Sequence, residues 1–455
     1  MNLDPRHGAP ELHRLNYSQD DVRLMTQLLP VRHAHNIAFS LDFQNGFDPE
    51  LMRQAVRHLY ERNDCLRLQF IHKGLSVRQL FRDHAEPAPI PEIRFADSAE
   101  EEAFLRRFLQ SSLDLFRGET LQLVFATLPS GMQRIFCKTS HFAADLYGIS
   151  ILVADLTAVY DALRDGKELP PPPGSFEVLV RKDNAQSADG KRREAHRAFF
   201  QDYFAKAGRG RPQYCGIHGP DSKRWQRLKR RGLFYLPYDF LHPETRSFVC
   251  PVPDAAFRSI RTFCSDSGFS LSLFLYYACA LATSLLHGRI PCQTALGFVD
   301  CRATVAERKA AGTKVQSLIT CLDVDYGKSF RENLQRLRED LDDLYRHYQY
   351  DFWQAETQLQ RLWRFPTFGY VHSFCFSFIS RPYPDGVRMN LYNNGKSPMP
   401  TYVIALHDTA DDTLSLRISA QEKVVPERPD AFFDCFVRIV GQAVARPDTP
   451  LDQIL

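Results

Sequence analysis

Cys137-Lys138-Thr139-Ser140-His141-Phe142-Ala143-Ala144-Asp145-Leu146-Tyr147-Gly148 is the stretch from which the fold can be read. Apolar residues alternate through 121–128 and again through 133–139, and Pro129-Ser130-Gly131 between them predicts a tight turn, so the two runs read as a β-hairpin. Ile149-Ser150-Ile151-Leu152-Val153-Ala154-Asp155-Leu156 then predicts a helix running to about Leu163. A histidine and, four positions later, an aspartate therefore stand where a buried strand ends and a helix begins. Such a junction holds a side chain rigidly and can turn it toward a cleft. A base placed there can take the proton that an amine or hydroxyl loses as it attacks a thioester or ester carbonyl.

Three other readings of His141 and Asp145 compete. The i,i+4 spacing suits a shared metal ion, but no further cluster with ligand spacing accompanies it, and a metal needs three or four protein ligands. Ser140 as a nucleophile is disfavoured because neighbouring strand residues point to opposite faces. The sequence also has no GxSxG elbow, phosphate-cradling glycine loop or HExxH. The remaining alternative is a core histidine with no chemistry.

The chain has 455 residues, enough for a large core and two domains. Hydrophobic residues make up 44% and charged residues 24%, as in ordinary globular proteins. A net charge of +3 gives no reason to expect a nucleic-acid partner. The eleven cysteines include no CxxC pair, and several lie in apolar runs, so buried thiols in a reduced, cytoplasmic setting are expected. The segment Met1–His7 has no signal-peptide core, and Ser270–Leu286 reads as a buried helix, not a membrane span. Lys223–Arg231 carries six positive charges in nine residues; it reads as an irregular solvated segment or, alternatively, a docking patch for an acidic partner.

Strands are expected at 37–43, 66–71, 77–81, 246–252, 293–299, 315–324, 369–379, 401–407 and 413–419. Helices are expected at 49–62, 98–113, 190–206, 254–266, 270–287, 328–346 and 427–444. Ser98 with Glu101 suggests a capping box. The run Pro170-Pro171-Pro172-Pro173 cannot continue a helix and favours extended chain. The expected organisation is thus an N-terminal lobe over 1–168, a Pro-rich linker over 169–189 and a C-terminal lobe over 190–455.

Several segments, in order, resemble the condensation domains of nonribosomal peptide synthetases, in the chloramphenicol acetyltransferase-like superfamily. Gly46-Phe47-Asp48-Pro49-Glu50-Leu51 with Ala55, Val56 and Leu59 is similar to that family's G-x-L-D-x-x-x-L-x-x-A-L helix. Arg62-Asn63-Asp64-Cys65-Leu66-Arg67 resembles R-H-x-x-L-R, and Leu113-Asp114-Leu115-Phe116-Arg117-Gly118 resembles F-D-L-x-x-G. Ser140–Leu146 occupies the H-H-x-x-x-D-G signature. In the second half, Gly297–Arg302, Ser317–Thr320, Phe365–Val371 and Asp448–Leu451 resemble further family segments.

The resemblance implies an α/β protein of two acetyltransferase-like lobes in a V with a central tunnel, crossed by segments near 365–380 and 388–402. It implies that His141 is the catalytic histidine and that Asp145 is structural, pairing with an arginine; Arg67 is the first candidate partner and Arg302 the second. Two positions depart from the pattern. Ser140 replaces the first histidine and Leu146 replaces the glycine, with Gly148 two residues on; a leucine there would narrow the substrate channel or alter the helix entry. The implied activity is a free-standing condensation enzyme in natural-product biosynthesis. It would transfer an acyl or aminoacyl group from a phosphopantetheine thioester on a carrier protein, or from acyl-CoA, to a small amine or alcohol acceptor. The partner would be an acidic acyl or peptidyl carrier protein, with no permanently bound cofactor, no metal, no nucleic acid and no membrane span. Rival readings are an acyl-CoA-dependent acyltransferase, a non-catalytic carrier-binding module of the same fold and a hydrolase.

Overall fold

The computed structural model describes residues 11–28, 35–74, 76–206, 213–218, 223–231, 242–364, 372–380, 384–397, 399, 401–425 and 428–455. In chain order the first elements are α1 (Tyr17–Leu28), β1 (Asn36–Phe43), α2 (Pro49–Arg62), β2 (Leu68–Lys73), β3 (Ser76–Phe81), β4 (Glu92–Arg94) and α3 (Ser98–Gln110). The hairpin β5 (Leu121–Thr127) and β6 (Gln133–Ser140) follows, then α4 (Leu146–Arg164), α5 (Phe176–Ala188), α6 (Gly190–Lys206) and α7 (Lys223–Arg230). Next come β7 (Thr245–Pro251), α8 (Asp254–Ser267), α9 (Leu271–Leu286), β8 (Cys292–Asp300), β9 (Val315–Asp323), α10 (Phe330–Arg346) and α11 (Phe352–Trp363). The last are β10 (His372–Ser380), β11 (Val387–Tyr392), β12 (Thr401–Asp408), β13 (Thr413–Gln421), α12 (Asp430–Ala445) and α13 (Leu451–Ile454).

These elements make two α/β units. Unit 1 comprises Met1–Gly190, Asp300–Val315 and Tyr383–Asn394; unit 2 comprises Lys191–Val299, Gln316–Pro382 and Gly395–Leu455. The sheet of unit 1 has the order β11-β1-β6-β5-β4. Strand alternation gives it two apolar faces. Leu41, Phe43, Leu123, Phe125, Ile135 and Cys137 pack with Met52, Val56 and Leu59 of α2 and Ile149, Leu152 and Leu156 of α4. Ala38, Val124 and Phe136, on the opposite face, pack with Phe95 and with Phe108 of α3. Helix α4 is long and apolar enough to cross a membrane by composition, but its apolar residues are this core. Unit 2 is built on a six-stranded sheet, β7-β13-β12-β10-β8-β9, with β10 parallel to both β12 and β8. Helix α9, expected from its unbroken apolar run, is buried, and α8, α10 and α12 pack around it.

The structure departs from the sequence reading in specific places. The segment read as a linker is part of unit 1. The Arg62 guanidinium donates to the carbonyls of Pro170 (2.9 Å) and Pro171 (3.0 Å) and pairs with Asp155 at 2.7 Å, which straps the proline run down. Helix α5 follows at once, because Ser175 caps it and the Asp64 carboxylate accepts from the backbone of Phe176 and Glu177. Residues 300–315 and β11, read as second-lobe, also complete unit 1; β11 pairs antiparallel with β1. The cap of α3 is Asp97, one residue before the expected Ser98, since the Asp97 carboxylate accepts from Glu100 N–H at 2.9 Å. Lys223–Arg230 is helical, not irregular, and Lys223, Arg227, Arg230 and Arg231 are exposed. The Phe365–Val371 segment lies outside the described residues. All eleven cysteines are buried free thiols.

Lys138 on β6 is a buried cation. Its Nζ donates to the carbonyls of Phe108 (2.8 Å) and Ser111 (3.0 Å) and to Ser111 Oγ, closing the C-terminal end of α3, and lies 4.5 Å from the Phe108 ring centre. These contacts use the negative end of the helix as the partner of the ammonium. Burial pushes the Lys138 ammonium down to about 8. Because the unfolded chain holds that proton up to its ordinary value near 10.5, stability rises with pH between about 8 and 10.5. The substitution Lys138→Met is expected to cost about 1–3 kcal/mol at pH 7 by orphaning two carbonyls. It should also remove the rise above pH 8, as read by urea denaturation at pH 7, 8 and 9.5.

Candidate active site

β6 ends at Ser140, and His141 begins a short turn into α4. Local hydrogen bonds set that turn. The Ser140 carbonyl accepts from Ala143 N–H (2.8 Å) and Ala144 N–H (3.1 Å), and His141 N–H donates to the His35 carbonyl at 2.9 Å. Ser140 itself is buried, and its Oγ accepts from Phe142 N–H at 3.3 Å. Leu146 is the first residue of α4 and packs against the unit 1 core.

Asp145 is the N-cap of α4. Its Oδ1 accepts from Gly148 N–H at 2.6 Å, and its Oδ2 accepts from Lys314 N–H at 2.7 Å. Arg302 completes the set, with Nη1 3.1 Å from Oδ2 and Nη2 3.3 Å from Oδ1. Both partners are buried within unit 1. Of the two expected partners, the structure brings Arg302 to Asp145 and not Arg67. A short helical turn at Asp64–Arg67 aims the Arg67 guanidinium at the carbonyls of Tyr60 (2.7 Å), Glu61 (2.6 Å) and Arg82 (2.8 Å), which occupy it.

Arg302 is held as tightly as it holds. Its guanidinium also donates to the carbonyls of Gly312 (2.7 Å) and Ala310 (3.2 Å) and to Asp300 (2.8 Å), and it lies 4.6 Å from the Tyr147 ring centre. Burial alone would raise the Asp145 carboxyl; the Arg302 charge and the hydrogen bonds from Gly148, Lys314 and Arg302 outweigh it and hold the group below the usual carboxylate range. Lys314 extends the network to a second buried ion pair, with Asp183 of α5.

Two glycines let segment 300–315 come this close. A Cβ on Gly148 would stand 2.4 Å from the Gly312 carbonyl oxygen. Gly312 has φ +106°, and a Cβ there would fall 2.2 Å from the Phe176 ring. Neither position has room for a side chain, and the backbone of Gly312 is one that L-residues rarely adopt.

The His141 ring is partly buried; its Nδ1 is buried with no partner on any other residue, and the ring's one favourable polar contact is with its own backbone, which leaves Nε2 as the more open nitrogen. Burial lowers its proton affinity, and the Asp145 charge offsets this only in part. The sequence reading missed His35. Its Nε2 is also buried and unpartnered, and burial together with the His141 charge pushes its imidazole down to about 4. The signal was present in the strand pattern: β1 and β6 pair with Asn36 opposite Ser140, so the next position places His35 opposite His141.

Residues 12–209 match the family model described as a condensation domain. Among curated relatives, a linear gramicidin synthase of Brevibacillus parabrevis is 29% identical over 143 residues, 30% of this chain and 2% of that protein. Phosphinothricin tripeptide synthetase PhsC of Streptomyces viridochromogenes is 30% identical over 167 residues, 35% of this chain and 15% of that protein. The match thus spans a small fraction of these large relatives. Among solved structures, the condensation domain of Monacolin K polyketide synthase MokA superposes with a TM-score of 0.79 at 16% identity, covering 98% of this chain and 100% of that one. The starter condensation domain of rhizomide synthetase RzmA, in complex with C8-CoA, gives 0.76 at 18% identity, covering 98% and 97%.

Removing the arginine should expose how much rests on the ion pair. Arg302→Met leaves a buried carboxylate with only backbone partners and is expected to cost about 3–5 kcal/mol in urea denaturation at pH 7. The histidines set an acid limit. Both are held below their ordinary 6.5. The unfolded chain therefore binds more protons below pH 6.5, and stability falls on acidification toward pH 4, by up to about 3 kcal/mol from His35 alone. A urea series from pH 7 to 4 should show this fall, and His35→Phe should flatten it.

Residues 12–209 thus resemble condensation domains in sequence, and nearly the whole chain shares the fold of solved condensation domains.

Proposed function

We propose that this chain forms amide or ester bonds by transferring an acyl or aminoacyl group from a thioester to an amine or alcohol. In this reading the donor is delivered on the phosphopantetheine arm of a carrier protein. The observation that carries the reading is the placement of His141 beside a charge-saturated Asp145 at the strand–helix junction of a condensation-domain fold. Asp145 has no oxygen to spare for proton transfer; it fixes the turn. His141, kept neutral by burial, has a basic Nε2 to take the proton of the attacking amine or hydroxyl. The same nitrogen can return that proton to the departing thiolate as the tetrahedral intermediate collapses, so no net proton is gained or lost.

Ser140, small and already bonded to the Phe142 amide, leaves the histidine's role intact, and Leu146 starts the helix without disturbing the Asp145 cap. The exposed cations Lys223, Arg227, Arg230 and Arg231 supply a surface for an acidic carrier. Acyl-CoA is the second donor in this reading, favoured by the C8-CoA complex of the rhizomide synthetase domain.

The test is single-turnover product formation with separately purified, acyl-loaded carrier protein or acyl-CoA and a panel of amines and alcohols, read by mass spectrometry. His141→Ala is expected to lower amide or ester formation by about 100-fold or more without loss of folding. Product formation unchanged in H141A would overturn the base assignment, and free acid as the sole product would make the protein a hydrolase.

A further inference from the structure

Unit 2 holds a serine, a histidine and an aspartate in one hydrogen-bonded chain. In the parallel pair β10–β12, Ser380 stands opposite His407, and across the antiparallel pair β12–β13 His407 stands opposite Leu414, so the three share one face of the sheet. Ser380 Oγ lies 2.7 Å from His407 Nδ1, and His407 Nε2 lies 3.2 Å from Asp412 Oδ1. A carboxylate can only accept, so Nε2 carries the imidazole proton and donates it to Asp412. Nδ1 is then a lone pair, and the Ser380 hydroxyl donates to it. The ring is held on its other sides as well. Only 15% of the His407 side chain is exposed, and the Phe257 ring of α8 packs edge-on against it at 5.2 Å. Arg261, one turn further along α8, pairs with the second Asp412 oxygen. The tight turn between β12 and β13, closed by Asp412 at φ +50°, carries the carboxylate back to the histidine. The set lies at the carboxyl ends of two parallel strands, where open α/β sheets receive their ligands.

We propose that Ser380, His407 and Asp412 form a second catalytic centre, a serine esterase that hydrolyses activated esters of small carboxylic acids. Such a centre is recognised by geometry and roles, whatever the order of its members along the chain. His407 Nδ1 takes the Ser380 proton as Oγ attacks the ester carbonyl. The bond from the carbonyl carbon to the leaving oxygen then breaks, and the departing alcohol takes the proton from Nδ1. This leaves an acyl-Ser380. A water next gives a proton to Nδ1 as its oxygen bonds the acyl carbon; the carboxylic acid departs, and the proton returns to Ser380 Oγ. One water is consumed per ester, and nothing is oxidised or reduced. Asp412 is the positioning residue, which fixes the tautomer and steadies the imidazolium formed in each half. Activated esters are the class these residues serve, because a good leaving group asks least of a site in stabilising the tetrahedral oxyanion. All three residues belong to unit 2 and none to the turn that carries His141, which is in unit 1.

The experiment uses the full chain, with p-nitrophenyl acetate as substrate and a fluorophosphonate as covalent probe. The probe should phosphonylate one serine, and peptide mass mapping should place the label on Ser380. Ser380→Ala should abolish the label, and Ser380→Ala and His407→Gln should each lower kcat/KM for p-nitrophenolate release by about 100-fold or more. Asp412→Asn should lower kcat on the order of 10-fold or more with KM little changed, and Asp412→Glu should recover part of it, a split that an acid serving only to tie the turn would not give. A label on another residue, no label on any serine, or release unchanged in S380A would overturn the proposal and leave Ser380, His407 and Asp412 as a structural tie between β10 and the β12–β13 turn. Should S380A fail to fold, the map of the labelled wild type decides alone. Neither reagent draws on a carrier protein or an acceptor amine, so the outcome is independent of the thioester-transfer reading.

Discussion

The carboxylate of Asp145 is the point on which unit 1 is hung. A buried carboxylate is tolerable only when its lone pairs are filled, and here two backbone amides and one guanidinium fill them. Each donor brings a separate piece of chain: Gly148 the first turn of α4, Lys314 the end of segment 300–315, Arg302 its beginning. One side chain thereby ties the turn that carries His141 to a stretch of sequence far away along the chain. Because the same carboxylate is saturated, it has no hydrogen-bonding capacity left for His141 and serves to fix the turn.

Charge burial recurs across unit 1 with the same logic. Lys138 faces helix-end carbonyls, Lys314 faces Asp183, and Arg62 faces Asp155 and the proline carbonyls. In each case the cation's partners come from a different segment of the chain. Such contacts add little net stability over apolar replacements, but they penalise alternative registers, since a slip would leave an ion bare. The apolar sheet faces supply the bulk of the cohesion, and the ions specify which segments meet.

Much of this was legible in the sequence where the signal is local. The hairpin, the turn with His141 and Asp145, and helices such as α2 and α9 follow from alternation, turn residues and apolar spacing. The partner of Asp145 was not local. Arg67 lies in a recognisable cluster, but a short helical turn spends its guanidinium on three carbonyls, while Arg302 arrives from 157 residues away. β4 escaped notice because it has three residues, and β11 because Val387-Arg388-Met389-Asn390-Leu391-Tyr392 is half polar, as suits an edge strand. Helix α5 was hidden by the proline run before it; its start is set by Ser175 and Asp64, a pairing invisible along the chain. His35 was missed because a lone histidine ahead of a strand has no pattern of its own until the strand's partner and register are known.

The separation between Asp145 and Arg302 also has a consequence in time. At a synthesis rate of about 5–20 residues per second, the arginine leaves the ribosome roughly 10–30 s after the aspartate. During that interval α4 and the hairpin can form, but the carboxylate must stay hydrated, and the surface that segment 300–315 will cover stays open to water. The turn that carries His141 is thus completed late, by a segment made only after residues 191–299 of unit 2, so its carboxylate cannot be fully satisfied until the chain has been translated through Lys314.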